Sequence, residues 1–235
     1  MVNVWLVAVA ALALATGCSW TRSAASRMLP TDPNAELVYV ALGDSTVEGI
    51  GASSQDTNYV SRLHARLREH YRNARVVNLG VGGATSEHVI SRQLDRAVAL
   101  RPQLLTLSVG PNDITSRVSV KTYAENMDTI LGRLAKETEA VIVVNLLPDL
   151  AVTPRFRGRG ELASVVGHLS TEFNEELARV AKRHGAAVVD LYRASRREVP
   201  GHPELLARDG YHPSDLGYAR WAELMWEAVR PRIGS

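Results

Sequence analysis

The chain has one cysteine, Cys18, in 235 residues, which excludes an intrachain disulfide. It also lacks a charge excess: 27 basic side chains face 25 acidic ones, so no global field points to nucleic acid, and any effect of basic residues has to be local. The seven histidines show no metal-ligand spacing, and neither a metal nor another cofactor is implied. A nucleophile elbow of the form G-x-S-x-G is missing, because Val47 takes the place of its last glycine in "GDSTV". No internal repeat is visible. The longest uncharged apolar stretch, residues 1–17, falls short of the ~20 residues that span a bilayer comfortably. What is present is a composition, 46% hydrophobic and 22% charged, suited to one globular domain with a sizeable core.

Residues 1–17, "MVNVWLVAVAALALATG", read as a signal peptide. Cys18 follows small residues in "LATGCS", which resembles the lipobox of bacterial lipoproteins. Two features depart from that pattern: Ala15 stands where leucine is commonest, and no Lys or Arg precedes the apolar run. The resemblance implies that Cys18 is lipidated and that the protein is exported and tethered to the outer face of the cytoplasmic membrane. A plain secretory signal or an uncleaved anchor are the alternatives. Residues 18–36 are rich in Ser, Ala, Thr and Pro without periodicity and read as a flexible tether. The folded domain is expected over residues 37–235.

Within it, apolar runs of strand length, "LVYVAL", "ARVVNL", "LLTLSV", "AVIVVNLL" and "AAVVDLY", alternate with segments of helical period. Val60, Leu63, Leu67 and Tyr71 share one helical face, as do Tyr123, Met127, Ile130 and Leu134, then Val166, Leu169, Phe173, Leu177 and Val180. A last helix over about 214–230 follows the start signal "HPSD". Near-continuous apolar strands suit a parallel sheet covered on both faces. The fold class is therefore α/β, a three-layer α/β/α sandwich with about five parallel strands and a flavodoxin-like winding. Parallel strands bring their C-terminal ends to one edge, so polar residues just after strands are the candidates for chemistry.

Four stretches stand out there: "GDSTVEG", "GVGGATS", "GPND" and "DGYHPS". Each alone is compatible with a turn or a cap. Together, in this order, they resemble the four blocks of the SGNH (GDSL-type) hydrolase superfamily over roughly residues 37–231. The resemblance implies that Ser45 is the nucleophile, His212 the base and Asp209 its orienting acid. It further implies an oxyanion hole made by Ser45, Gly83 and Asn112; the Gly82/Gly83 pair leaves the backbone donor open by one residue, and spacing to Thr85 favours Gly83. Thr46 replaces the leucine of the GDSL name. Asp44 and Asp113 neighbour these positions and are read as backbone caps. His202 in "GHPELL" imitates the base motif but has Val199 where the aspartate should be, and reads as loop structure.

The residue types fit the chemistry. A serine hydroxyl needs a base, and imidazole titrates close to neutral pH. Glycine lets a backbone N–H approach an oxyanion, and asparagine is a neutral donor. The expected activity is a serine esterase or lipase-like acylhydrolase acting through an acyl-Ser45 intermediate on a small-molecule, lipid or acylated-glycan ester. Alternatives are an acyltransferase or carbohydrate O-acetyl esterase with the same site, a catalytically silent glycan- or lipid-binding lipoprotein, and a nucleotide-binding flavodoxin-like module. Arg155, Arg157 and Arg159, with Arg193, Arg196 and Arg197, follow the fourth and fifth strands and are expected to flank the cleft, either as solvated charge or to attract an anionic substrate or membrane.

Overall fold

The five apolar runs form the strands β1 (Glu36–Gly43), β2 (Asn73–Asn78), β3 (Leu104–Ser108), β4 (Val141–Asn145) and β5 (Ala187–Val189) in the computed structural model, which describes residues 26–234. Pairing is parallel throughout and the order is β2-β1-β3-β4-β5. That is the doubly wound order with its switch point between β1 and β3.

Side-chain alternation along each strand sorts the core into two layers. Val38, Val40 and Leu42 of β1 pack on one face with α3 (Ser86–Arg92), α4 (Leu94–Ala99), α6 (Val120–Glu137) and α7 (Glu161–Arg183). Leu37, Tyr39 and Ala41 pack on the other with α2 (Tyr59–His70) and α9 (Asp215–Val229). The apolar stripes expected from sequence are the buried ones: Val60, Leu63 and Leu67 of α2, and Tyr123, Met127, Ile130 and Leu134 of α6. Burying each such side chain contributes roughly 1.5–3 kcal/mol. Asn58 starts α2 by accepting from the Ser61 N–H at 2.9 Å, and Ser119 starts α6 by accepting from the Thr122 N–H at 3.0 Å. Three short helices follow strands at the C-terminal edge: α1 (Ser45–Glu48), α5 (Pro111–Thr115) and α8 (Leu191–Glu198).

The segment before β1 differs from the expectation of a tether over 18–36. Leu29 is buried in the second core layer, and its N–H donates to Arg232 O at 2.7 Å. Arg27 is also buried, donating to Ala135 O at 2.7 Å and Ala140 O at 3.2 Å. The Tyr71 hydroxyl donates to Pro30 O at 2.8 Å and the Asn73 amide to Asn34 O at 2.7 Å. These contacts reach residues 39 to 203 positions away, so local composition carries no trace of them. Residues 27–35 thus belong to the domain. The expected signal peptide 1–17 and Cys18 lie outside the described residues.

Candidate active site

β1 delivers Ser45 to the C-terminal edge through a tight exit. Gly43 has φ +144°, and a Cβ there would lie 1.9 Å from Ser108 O, so only glycine fits this crossing of β1 and β3. Gln93, buried between α3 and α4, clamps it: its Oε1 accepts from the Gly43 N–H at 2.9 Å and its Nε2 donates to Gly43 O at 2.8 Å. Asp44 then caps the one-turn α1, accepting from the Thr46 N–H at 2.9 Å and the Thr46 hydroxyl at 2.8 Å. Burial pushes the Asp44 carboxyl up to about 6, against the Thr46 hydrogen bonds that pull it down. Ser45 is therefore held at the mouth of a rigid, tightly bonded turn.

His212 arrives from the far side of the sequence. A short hairpin, closed by an antiparallel bridge between Leu206 and Pro213 and by the Ala207 N–H to His212 O bond of 2.8 Å, carries both Asp209 and His212. Asp215, the first residue of α9, accepts from the Ser53 N–H at 2.8 Å, and the Tyr218 hydroxyl donates to Ile50 O at 2.7 Å. These bonds tie that hairpin to the loop after Ser45. The result is a continuous line: the Ser45 hydroxyl to His212 Nε2 at 2.9 Å, and His212 Nδ1 to Asp209 Oδ2 at 2.6 Å. Asp209 Oδ1 accepts from the N–H groups of Tyr211 and His212 at 2.9 and 3.0 Å. Desolvation, the largest single influence, raises the Asp209 carboxyl, but the His212 ring and these two N–H donors together hold it below the ordinary carboxylate value. An ionised carboxylate on Nδ1 fixes the imidazole orientation and leaves Nε2 facing the serine oxygen.

The loops after β2 and β3 bring Gly82, Gly83 and Asn112. Gly82 N–H is taken by Glu48 Oε2 at 2.6 Å. The N–H groups of Gly83 and Ser45 donate no hydrogen bond among the described residues. Of the glycine pair, Gly83, at φ +77° with open space around its α-carbon, is thus the one whose N–H is not engaged. Asn112, in the first turn of α5, donates one Nδ2 hydrogen to Ala84 O at 3.0 Å, which leaves the other available. Asp113 has the capping role expected of it, accepting from the Ser86 N–H at 3.0 Å and the Ser86 hydroxyl at 2.5 Å. Its burial raises its carboxyl in spite of those bonds.

Sequence reasoning missed Gln93, Glu48 and the cavity behind the serine. Gln93 and Glu48 act through contacts 50 and 34 residues away, and only their polarity beside apolar neighbours was visible. The cavity, of about 110 Å³, adjoins Ser45 and His212 and extends between α8 and α9. Of the arginines, Arg155 reaches the site's edge: its guanidinium lies 5.2 Å from the Tyr211 ring, which meets the His212 ring edge-on at 5.0 Å. Arg157 and Arg159 are exposed on the same turn. Arg196 and Arg197 are engaged by Asp149 and Glu198. His202 pairs with Glu204 at 3.0 Å in the exposed loop, as expected. No cluster of metal-ligating side chains occurs among the described residues.

Comparison with known proteins gives a family match over residues 41–220, to the GDSL-like lipase/acylhydrolase family. A GDSL-like esterase of Mycobacterium tuberculosis is 28% identical over 195 residues, 81% of this chain but 61% of that protein's length. Esterase TesA of Pseudomonas aeruginosa is 22% identical over 206 residues, 88% of this chain and 94% of its own. An acetylxylan esterase structure from Geobacillus stearothermophilus shares the fold, with a TM-score of 0.68 at 18% identity over 83% of this chain and 95% of that one.

Proposed function

We propose, given that the chain belongs to the GDSL-like lipase/acylhydrolase family, that it hydrolyses carboxylic esters through an acyl-Ser45 intermediate. The observation that carries this reading is the unbroken line from the Ser45 hydroxyl through His212 to Asp209, with contacts of 2.9 and 2.6 Å.

In the first step the Ser45 oxygen attacks the ester carbonyl while His212 Nε2 accepts its proton, and Asp209 stabilises the resulting imidazolium. The carbonyl oxygen becomes an oxyanion that the N–H groups of Gly83 and Ser45 and the Asn112 amide stabilise; preorganised donors of this kind lower the barrier without reorienting during the reaction. Collapse breaks the bond to the alcohol, which leaves with the proton from His212. A water then attacks the acyl-Ser45 carbonyl, gives its proton to His212, and the acid departs as Ser45 recovers its hydrogen.

The same proposal puts the domain outside the cytoplasm, tethered through Cys18, on the strength of residues 1–18 alone. A fluorophosphonate probe and p-nitrophenyl acetate test the chemistry. Wild type should be labelled and turn over, while Ser45→Ala should lose labelling and nearly all turnover with unchanged circular dichroism. Undiminished kcat in that variant would remove Ser45 from the reaction.

A further inference from the structure

The turn that presents Ser45 also reaches the loop that presents Gly83. Ser45 and Glu48 are the first and last residues of α1, a spacing that puts both on one face of the turn. From there Glu48 Oε2 accepts the Gly82 N–H at 2.6 Å, a short contact of the kind a charged acceptor makes. The root of the loop is fastened separately. Asn78 Nδ2 donates to Val47 O at 2.6 Å while its Oδ1 accepts the Gly80 N–H at 2.9 Å, and the Val81 N–H donates to Gly43 O at 3.2 Å. Beyond Val81 that support ends, until the Ala84 N–H turns back to Val81 O at 3.0 Å. Residues 81–83 are exposed, and two of the three are glycines with no side chain to pack. Among the described residues, Glu48 gives this stretch its one side-chain bond.

A pair of glycines has the greatest backbone freedom to lose on ordering, whereas an oxyanion donor lowers a barrier only if it is in place before the charge develops. Something must hold the pair. A carboxylate beside an oxyanion site also repels the charge that forms there, so Glu48 is a costly residue at this position unless its bond to the loop outweighs the repulsion. We infer that Glu48 is a positioning residue: by fixing the Gly82 N–H it orders the Gly82–Gly83 backbone, with Gly83 in its left-handed conformation at φ +77° and its N–H free for the oxyanion. It touches no reacting atom. The inference rests on the proposed esterase reading and adds to it the device that orders one donor. Because Ser45 and Glu48 share one helical turn, the same element sets the place of the hydroxyl and of the donor opposite it.

Glu48→Ala and Glu48→Gln in the full-length protein test the acceptor. Losing a whole oxyanion donor costs about 10²–10³ in kcat, and a donor in place part of the time should cost less. On p-nitrophenyl acetate the Ala variant should therefore lose about tenfold to hundredfold in kcat, with KM nearly unchanged. Glutamine keeps an oxygen for the same N–H and should recover most of that loss. Phenylboronic acid reads the donors without a leaving group: the Ser45 oxygen adds to boron, His212 Nε2 takes the serine proton, and the tetrahedral boronate anion calls on the same N–H groups. Its Ki should rise in the Ala variant by the factor lost in kcat/KM. Wild-type kcat and Ki in Glu48→Ala would overturn the inference, as would a Gln variant impaired as deeply as Ala. Amide hydrogen exchange on protein carrying isotopically labelled glycine needs no turnover. The Gly82 amide should exchange about tenfold faster in Glu48→Ala than in wild type, the loss expected for a hydrogen bond to a charged group. Unchanged exchange would refute the hold on the loop even if no ester were hydrolysed. Faster exchange in a protein whose wild type neither turns over nor binds the boronate would leave that hold standing and overturn the esterase reading instead.

Discussion

Asp44→Asn isolates the free energy of a buried carboxyl placed next to Ser45. Asp44 is 1% exposed, and burial raises its carboxyl from 3.8 to about 6. Below about pH 3 the group is protonated in both the folded and the unfolded chain and contributes nothing. Between about 3 and 6 the unfolded chain releases a proton that the folded one keeps, so the native state binds more protons and stability falls as pH rises. Above 6 the loss is complete. A gap of about two pH units corresponds to about 3 kcal/mol. Asparagine retains an oxygen for the Thr46 N–H, which Asp44 accepts at 2.9 Å, but has no charge to desolvate. Urea denaturation of both proteins at about pH 3 and about pH 7.5 measures the effect. The variant should gain about 3 kcal/mol on wild type between the two conditions, and any pH-independent effect of the new amide cancels in that comparison. A stability difference that does not change with pH would show that the Asp44 charge carries no such penalty, and the account of this turn would have to be redrawn.

Three further outcomes follow from the site. Asn112→Ala should lower kcat by about 10²–10³ with little change in KM, as the proposed mechanism, in which the amide acts on the oxyanion and not on bound ester, requires; a loss confined to KM would make it a binding residue. Asp209→Asn should cost on the order of 10²–10⁴ in kcat, because the His212 ring loses its anionic partner at 2.6 Å, and steady-state kinetics on the folded variant would expose a dispensable carboxylate. Cys18→Ser should move the protein from the membrane to the soluble fraction without altering specific activity; retention on membranes by fractionation would favour an uncleaved anchor.

Strand identity was legible because runs such as "AVIVVNLL" are apolar on both faces, and the helix stripes because Tyr123, Met127, Ile130 and Leu134 recur at helical spacing. The parallel order was legible only as a class. Ser45 and His212 could be singled out since each lies beside turn residues at a strand end or helix start, and four such stretches in one order are improbable by chance. Their contact of 2.9 Å, across 167 residues, belongs to the tertiary fold. Spacing to Thr85 favoured Gly83 over Gly82 in sequence; that the Gly82 N–H is taken up by the Glu48 carboxylate was hidden for the same reason. Residues 27–35 misled because the polar, aperiodic composition of 18–36 describes solvation, whereas their place is set by a slot lined by Ala135, Ala140 and Arg232.

That slot has a directional consequence. Arg27 and Leu29 are fastened beside Ala140 and Arg232, at the edge where the strands begin, whereas Ser45, Gly83 and Asn112 sit where strands end. The eight residues of β1, at about 3.3 Å each, put some 25 Å of sheet between the two edges. Cys18 precedes Arg27 by nine residues, a reach of about 30 Å at most. A surface gripping the chain at Cys18 would therefore hold the domain by a leash fixed at the edge opposite Ser45, and that leash, at full extension, is longer than the sheet is deep, so either edge can be turned toward the surface.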